Sequence, residues 1–293
     1  TSETKTLKIT WFGGEPLLAK DSIIKFSEAM IKIAEQHFVQ YASAMITNGI
    51  CLTKEIAEIL KSKCKVQEVQ ITLDGDNEEY CKRKGATSSI FNKVINNIVD
   101  AAELLRIQIR LNCDGKNYDS LVRVVDELFT KYNLSEKITV YLAQVTDYNG
   151  DGFVCCNSDD FNKLVIKFNT YLTKKYPLYN KNLTKKLDAK KCYCALKKCN
   201  NFAIGPKGEL YTCAHDFGIK GRIVGDVKKG LYDTKYHKKF LELHLSKKCK
   251  QCKLLPLCLG GCPSMRYNSK KEACCTNEEL IKYLIKKKIN YKM

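Results

Sequence analysis

Cysteine spacing is the feature that most constrains the fold of this chain. The 293 residues include 16 cysteines, and ten of them lie between Cys192 and Cys275. A disulfide framework is typical of short secreted chains that cannot build a core. This chain is long enough to bury a core, and 44% of its residues are hydrophobic. The clustered cysteines are therefore predicted to bind metal.

The cysteines of the C-terminal third follow one another at short intervals. Cys249, Cys252, Cys258 and Cys262 form a Cys-x2-Cys-x5-Cys-x3-Cys run. Short spacings let several thiolates reach one centre from a loop, and thiolates are ligands of both zinc and iron–sulfur clusters. The spacing alone leaves both metals open. The other cysteines of this region flank the run: Cys192, Cys194, Cys199, Cys213, Cys274 and Cys275.

The first half of the chain alternates short apolar strands with amphipathic helices. Between the strands, apolar residues recur at helical spacing. This alternation predicts an α/β fold with a parallel sheet and right-handed crossovers, open or barrel-like. The predicted strands are Leu7–Phe12, Tyr41–Thr47, Val66–Asp74, Ile107–Cys113 and Ile138–Gln144, and the first helical stripe is Ile23, Phe26, Met30, Ile33 and Phe38.

The third and fourth predicted strands alternate between apolar and polar residues. Strands of a doubly covered parallel sheet are usually apolar on both faces. A polar face therefore indicates either a barrel with a polar interior or an edge strand with one solvated face. Because two separate strands share the pattern, we favour the polar interior. The polar positions are Gln70, Thr72, Asp74, Gln108, Arg110 and Asn112.

Three loops at the predicted strand ends have the composition of ligand-binding turns. They read Gly13-Gly14-Glu15-Pro16, Thr47-Asn48-Gly49 and Leu73-Asp74-Gly75. Ligand sites of parallel α/β folds collect at the C-terminal ends of the strands. The paired glycines allow a ligand to approach the backbone, and Glu15 offers an anionic acceptor for an ammonium group. Each turn taken singly also fits an ordinary tight turn.

These turns resemble those of a known enzyme family. The stretch Trp11–Leu18 resembles the Gly-Gly-Glu-Pro motif of radical SAM enzymes, which holds the amino group of S-adenosylmethionine after the second strand of a partial barrel. The Thr47–Gly49 and Ile71–Gly75 stretches resemble the next strand ends of the peptide-modifying branch. The resemblance implies a partial (βα)6 barrel. It also implies a cofactor site formed by Gly13, Gly14, Glu15, Pro16, Asn48, Thr72, Asp74, Arg110 and Asn112.

The cysteine order extends the resemblance to the second half of the chain. It is similar to the SPASM signature, and Ile204–Cys213 resembles the β-hairpin of that domain, with Gly208 in its turn. The resemblance implies two auxiliary 4Fe-4S clusters. One would take Cys194, Cys213 and Cys262, with Cys199 or Cys192 as a possible fourth ligand. The other would take Cys249, Cys252, Cys258 and either Cys274 or Cys275.

The family pattern also predicts how the chain is divided. Residues 1–150 would form the partial barrel, 151–190 a helical linker, and 191–293 a small cysteine-rich α+β domain with a β-hairpin. The Cys-x3-Cys-x2-Cys motif of the family's catalytic cluster does not occur in this sequence. We therefore expect an N-terminally truncated chain that lacks its first strand unit and is inactive by itself. Lys84 stands where related maturases often have arginine, which leaves binding of the cofactor carboxylate there open.

The resemblance implies an anaerobic radical SAM oxidoreductase that modifies a peptide or protein. We expect a ribosomally made peptide and an oxidative product such as a thioether cross-link. Two alternatives stay open, namely a sulfatase-maturating enzyme that forms formylglycine and a non-catalytic fragment that binds metal or peptide. The implied cofactors are S-adenosylmethionine and 4Fe-4S clusters, including a third, catalytic cluster in the full-length protein. An electron donor such as flavodoxin or ferredoxin is the expected partner besides the substrate.

The net charge of +18 needs a separate explanation. Such an excess can mark a protein that binds nucleic acid or a membrane surface. The lysines are spread along the whole chain, without a recognition helix, and no apolar run approaches the roughly 20 residues that span a bilayer. We therefore expect neither a nucleic-acid nor a membrane partner. The need to keep thiolates and clusters reduced predicts a cytoplasmic location.

Overall fold

The chain divides into two compact units. The first contains residues 1–145 and 167–182, and the second contains 146–166 and 183–293. The predicted boundaries at residues 150 and 190 stay a prediction. The structure, a computed structural model, describes residues 5–146, 157–182, 194, 201–269, 274 and 276–290.

Five parallel strands form the sheet of the first unit, and each lies beside the next strand along the chain. With right-handed crossovers this order places the helices on one face of the sheet, so the predicted α/β class is confirmed. Each strand ends within about one residue of the predicted position. The strands are β1 (Thr6–Trp11), β2 (Gln40–Thr47), β3 (Val66–Leu73), β4 (Arg106–Cys113) and β5 (Ile138–Gln144).

The helices of this unit begin where the sequence supplies a capping side chain. Thr53, Asp76 and Thr87 each accept a hydrogen bond from a backbone N–H three residues later, which satisfies a donor that the helix leaves free. The helices are α1 (Lys20–Gln36), α2 (Lys54–Cys64), α3 (Asn77–Lys84), α4 (Ser88–Ala102) and α5 (Tyr118–Thr130), followed by α6 (Ser158–Lys175), whose second half belongs to this unit.

The first apolar stripe forms a helix but does not become a buried face. Phe26 and Ile33 on α1 are 61% and 54% exposed, and Phe38, beyond the end of the helix, is 98% exposed. Of the stripe, Ile23 is buried, together with Ser27 and Ala34. Helical spacing predicted the helix correctly, whereas the burial of each residue depends on which elements lie opposite.

The outer edge of β5 is covered by a tyrosine from the 3-10 turn at residues 177–182. The hydroxyl of Tyr179 accepts a hydrogen bond from the backbone N–H of Val140 at 2.8 Å and donates one to its carbonyl at 2.9 Å. Burial raises the pKa of Tyr179 to about 12. Free backbone groups on an edge strand invite pairing with other chains, and Tyr179 satisfies both groups of Val140.

The second unit is built around a small antiparallel sheet. The predicted hairpin is confirmed: Gly208 has a φ of +90° in its turn and donates a hydrogen bond to the carbonyl of Gly205 at 3.0 Å. The strands are β6 (Ala203–Ile204), β7 (Glu209–Tyr211), β8 (Ile223–Asp226) and β9 (Gly230–Leu231). The helices are α7 (Lys235–Leu241), α8 (Lys247–Gln251), α9 (Leu255–Cys258), α10 (Pro263–Ser269) and α11 (Glu278–Asn290).

No helix in the described ranges of either unit is both long and apolar enough to cross a bilayer.

Candidate functional sites

The polar positions of β3 and β4 share one face of the first sheet. In β3 the apolar residues Val69, Ile71 and Leu73 are fully buried, whereas Gln70 and Thr72 between them are half-buried. Both strands lie inside the five-stranded sheet, so the alternative of solvated edge strands is wrong. The half-buried polar residues of β3 therefore agree with the polar face that the alternation predicted.

Gln70 and Tyr141 lie on this face although neither was part of the predicted cofactor site. Thr72, Arg110 and Tyr141 are direct neighbours across β3, β4 and β5. The hydroxyl of Tyr141 donates to Oε1 of Gln70 at 2.9 Å. Burial raises the pKa of Tyr141, and nearby Arg110 opposes that rise. Alternation along β5 was the available signal for Tyr141, but only the register shows its neighbours.

Arg110 and Asn112 are already joined to each other. Nε of Arg110 donates to Oδ1 of Asn112 at 2.9 Å. This hydrogen bond uses one of the five N–H donors of the guanidinium. Arg110 also interacts with Tyr141, so its guanidinium connects polar side chains of β4 and β5.

The Gly-Gly-Glu-Pro turn is fixed to the end of β2 by its glutamate. Oε1 of Glu15 accepts hydrogen bonds from the N–H of Leu17 at 3.0 Å and from Oγ1 of Thr47 at 2.7 Å. Oε2 accepts one from the N–H of Asn48 at 2.8 Å. Pro16 occupies the first position of the 3-10 turn that follows, as predicted. A carboxylate has about four acceptor sites, so Glu15 retains about one for a ligand.

The two glycines before Glu15 leave open space beside the backbone. A Cβ atom at Gly13 or Gly14 would meet nothing within 4 Å, and both residues are exposed. An open backbone next to a carboxylate with a spare acceptor fits the aminoacyl end of S-adenosylmethionine, which combines an ammonium with a carboxylate. The residues present therefore fit the predicted cofactor at this turn.

Two hydrogen bonds fix the turn at Asn48, one within the turn and one from helix α4. Oδ1 of Asn48 accepts a hydrogen bond from the N–H of Ile50 at 2.9 Å. Nδ2 of Asn97, on α4, donates to the carbonyl of Gly49 at 2.8 Å. Asn97 is buried and supports the turn without reaching the open side.

The Asp74 turn is rigid and its carboxylate is paired. Oδ2 of Asp74 lies 2.8 Å from Nζ of Lys84. A Cβ atom at Gly75 would lie 2.5 Å from Oγ of Ser120, so only glycine fits there. Oγ of Ser120 also donates to Oδ1 of Asp76 at 2.8 Å. A ligand at Asp74 would therefore have to share the carboxylate with Lys84.

Four of the predicted metal ligands line one cavity in the second unit. The cavity has a volume of about 60 Å³. Oγ of Ser246 caps α8 and accepts from the N–H of Cys249 at 3.2 Å, and the N–H of Gly260 donates to Sγ of Cys258 at 3.4 Å. The cysteines in the cavity wall are Cys249, Cys252, Cys258 and Cys274.

This donor set fits a cluster with four thiolate ligands. Within the described parts of the chain, no group of three or more His, Cys, Asp or Glu side chains is placed so that it could hold a metal ion, so the assignment rests on the identity of the donors and on the cavity that they share. Of the two alternatives for the fourth ligand, Cys274 lies in the cavity wall, and Cys275 lies outside the described residues.

Of the predicted ligands of the other cluster, Cys194, Cys213 and Cys262 lie among the described residues. Cys213 is buried at 7% exposure, and its pKa is raised by burial and also by the charges of Asp216 and Cys262. Cys194 is half-buried. The predicted alternatives Cys192 and Cys199 lie outside the described residues.

An aromatic and charged array packs beside Cys213. The guanidinium of Arg222 lies over the rings of both Tyr236 and Tyr267, 4.4 and 4.6 Å from their centroids, and the two rings pack edge to face on each other. The hydroxyl of Tyr236 donates to Asp216 at 2.5 Å. The N–H of Asp216 in turn donates to the carbonyl of Cys213 at 3.0 Å. Since Tyr267 is on α10, the array ties that helix to the turn that follows Cys213.

Comparison with known proteins adds to this geometry. Residues 3–128 match the family model of the Radical SAM superfamily. A curated relative is the cysteine-type anaerobic sulfatase-maturating enzyme of Clostridium perfringens, which is 24% identical over 324 residues. The match covers 95% of this chain and 81% of the relative.

Solved structures of similar fold include anSMEcpe with bound AdoMet and a Kp18Cys peptide, and anSMEcpe with bound AdoMet and a Cp18Cys peptide. The TM-scores are 0.72 and 0.68, and each is 18% identical to this chain. Each match covers 98% of this chain and 86% of the other. At this identity the likeness establishes the fold.

Proposed function

We propose that this chain is a radical SAM maturase with a SPASM-type domain and that it oxidises a side chain of a peptide or protein. The family resemblance drawn from the sequence is confirmed, as is the use of S-adenosylmethionine and 4Fe-4S clusters. The number of clusters stays a prediction. The observation that carries the proposal is the Glu15 turn, with its spare acceptor and open glycines, beside a polar sheet face.

When bound, S-adenosylmethionine and a reduced cluster supply a radical that removes a hydrogen atom from the substrate. In this chain Glu15 would hold the ammonium of the cofactor, while Gly13 and Gly14 let it approach the backbone. Arg110 offers further N–H donors from the polar face. These groups position the cofactor and are not themselves oxidised or reduced.

The substrate is inferred from the chemistry of the relatives. One relative is named as a cysteine-type sulfatase-maturating enzyme, and similar structures contain cysteine peptides. Conversion of a cysteine or serine side chain to formylglycine is therefore as strong a candidate as the thioether cross-link expected from the sequence. Both reactions oxidise the substrate by two electrons, of which removal of a hydrogen atom accounts for one.

The second electron needs an acceptor. Cys249, Cys252, Cys258 and Cys274 would hold a cluster able to take it up, since iron–sulfur potentials span a wide range. Cys213 and Cys262 would contribute to another such centre. An external protein of the flavodoxin or ferredoxin type would then exchange electrons with the enzyme.

Metal analysis is the first test of these assignments. After anaerobic reconstitution we expect about eight irons and eight sulfides per chain, because two 4Fe-4S clusters would be held by cysteine thiolates. Serine at Cys252 should remove about half of the iron, while serine at Cys81, which lies on α3 in the other unit, should remove none. Zinc without sulfide would contradict the cluster assignment.

Ligand binding tests the cofactor and substrate assignments. We expect calorimetry to show binding of S-adenosylmethionine and of a cysteine-containing peptide. In a form that carries the Cys-x3-Cys-x2-Cys motif, mass spectrometry should show 5′-deoxyadenosine together with an oxidised peptide. Failure to bind S-adenosylmethionine would contradict the cofactor site, and 5′-deoxyadenosine formed without peptide oxidation would contradict the maturase assignment.

A further inference from the structure

A buried arginine in the second unit has a guanidinium N–H without a partner. Arg266, on α10, is only 7% exposed. Its Nη1 donates to the carbonyl of His244 at 3.3 Å, whereas its buried Nε has no hydrogen-bond partner. None of the ion pairs formed between described residues includes Arg266.

Arg266 lies directly behind the wall of the cysteine-lined cavity. Gly260 is part of that wall, and a Cβ atom added to it would lie 3.4 Å from Nη1 of Arg266. The same atom would lie 2.3 Å from a methyl group of Leu245, and the φ of +80° at this position also favours glycine. The N–H of Gly260 also donates to Sγ of Cys258. Gly260 therefore lies next to both the cavity and the guanidinium.

A buried guanidinium needs an anion nearby. Arginine does not lose its proton in proteins, and burying an unpaired charge is strongly unfavourable. The described contacts of Arg266 provide a carbonyl but no carboxylate. The four cysteines of the cavity become thiolates when they bind metal, so a cluster there would supply the missing negative charge.

We propose that Arg266 is the counter-cation of the iron–sulfur cluster held by Cys249, Cys252, Cys258 and Cys274, and that it raises the reduction potential of this cluster. The inference rests on the ligand set proposed above. Reduction adds one electron, and thus one negative charge, to the cluster. A fixed positive charge behind the cavity wall stabilises the reduced form more than the oxidised form. Arg266 acts through its charge and does not bind iron.

A purely structural role for Arg266 makes a different prediction. If its main task were to tie α10 to the carbonyl of His244, replacing it by methionine would destabilise the chain with or without iron. As a counter-cation, Arg266 is unpaired in the iron-free chain. Arg266→Met should then leave the iron-free chain at least as stable as the unchanged chain, while the cluster loses its stabilising charge.

Two measurements on one set of variants test this inference. Urea unfolding compares the iron-free chains, and potentiometric titration followed by electron paramagnetic resonance compares the reconstituted ones. Cys252→Ser identifies the signal that belongs to the cavity. Arg266→Lys keeps the charge but loses the planar donors. Lys238→Gln is the matched control, because it removes one positive charge from an exposed ion pair on α7.

In Arg266→Met we expect the assigned potential to fall by at least the 59 mV that corresponds to a tenfold change for a one-electron couple. Arg266→Lys should shift it less, and Lys238→Gln should not shift it. An unchanged potential in Arg266→Met would overturn the inference, and so would an iron-free Arg266→Met chain that unfolds at lower urea or fails to fold. A Cys252→Ser chain that kept all of its iron would instead overturn the ligand set.

Discussion

The hydroxyl of Thr47 donates a 2.7 Å hydrogen bond to the carboxylate of Glu15, which joins the turn after β1 to the end of β2. With the N–H groups of Leu17 and Asn48, this carboxylate has three donors from the protein. The turn is therefore shaped before any ligand arrives. Pre-organisation of this kind improves affinity because less ordering is left to occur on binding.

Replacement of Glu15 by glutamine should loosen the turn. An amide has only one acceptor oxygen, so at least one of the three protein donors loses its partner. We expect the free energy of unfolding to fall by about 1–3 kcal/mol, as for other hydrogen bonds to charged groups, and the affinity for S-adenosylmethionine to fall as well. Urea unfolding and calorimetry measure the two effects. The control is Glu35→Gln at an exposed position of α1, and an equal effect there would contradict the prediction.

Removal of the Tyr179 hydroxyl should expose the edge of β5. In Tyr179→Phe the N–H and the carbonyl of Val140 both lose a buried partner. We expect a loss of about 1–3 kcal/mol in the free energy of unfolding and faster hydrogen exchange at the Val140 amide. Tyr232→Phe, at a residue that is 39% exposed, is the control and should change neither quantity. Unaltered exchange in Tyr179→Phe would show that the hydroxyl does not protect this edge.

Asp126 should make the first unit sensitive to acid. Its carboxylate accepts hydrogen bonds from Tyr171 and Tyr176 and pairs with Lys175 at 2.9 Å. Burial by itself raises the pKa of Asp126, but Lys175, Tyr171 and Tyr176 outweigh burial and hold the pKa below its ordinary value of 3.8. The stabilisation is therefore present above that value and is lost as the pH falls through the lower pKa of the folded state.

The variant Asp126→Asn should flatten this acid dependence. We expect the free energy of unfolding of the unchanged chain to decline below about pH 4, and that of the variant to decline less. Urea unfolding at a series of pH values measures the slope. Asp100→Asn, at an exposed residue of α4, should keep the slope of the unchanged chain. Identical slopes for Asp126→Asn and the unchanged chain would contradict the assignment.

Loss of the Arg222 guanidinium should loosen the second unit around Cys213. Each cation–π contact of this kind contributes about 0.5–2 kcal/mol, and Arg222 makes one with Tyr236 and one with Tyr267. We expect Arg222→Met to lower the free energy of unfolding of the iron-free chain, in contrast to the outcome predicted for Arg266→Met. Urea unfolding of the two variants side by side tests this difference, and similar behaviour of both would contradict it.

Local patterns in the sequence were sufficient to predict the strands of the first sheet, the hairpin at Gly208 and the turn at Pro16. Each of these depends on residues within a few positions of one another, through side-chain alternation, glycine at a positive φ and proline at a first turn. The resemblance to the SPASM signature implied which thiols share a centre, and four of them line one cavity.

Contacts between distant residues were decided only by the tertiary structure. The partners Glu15 and Thr47 come from different strand–helix units, and Tyr141 reaches Gln70 across the intervening strand β4. The exposure of Phe26 and the burial of Arg266 are also outcomes of packing. A side chain's burial and charge environment depend on which elements lie opposite it, and residues far apart in sequence provide those elements. Spacing along the chain therefore determined the elements, the family resemblance supplied the candidate ligands, and packing decided their partners.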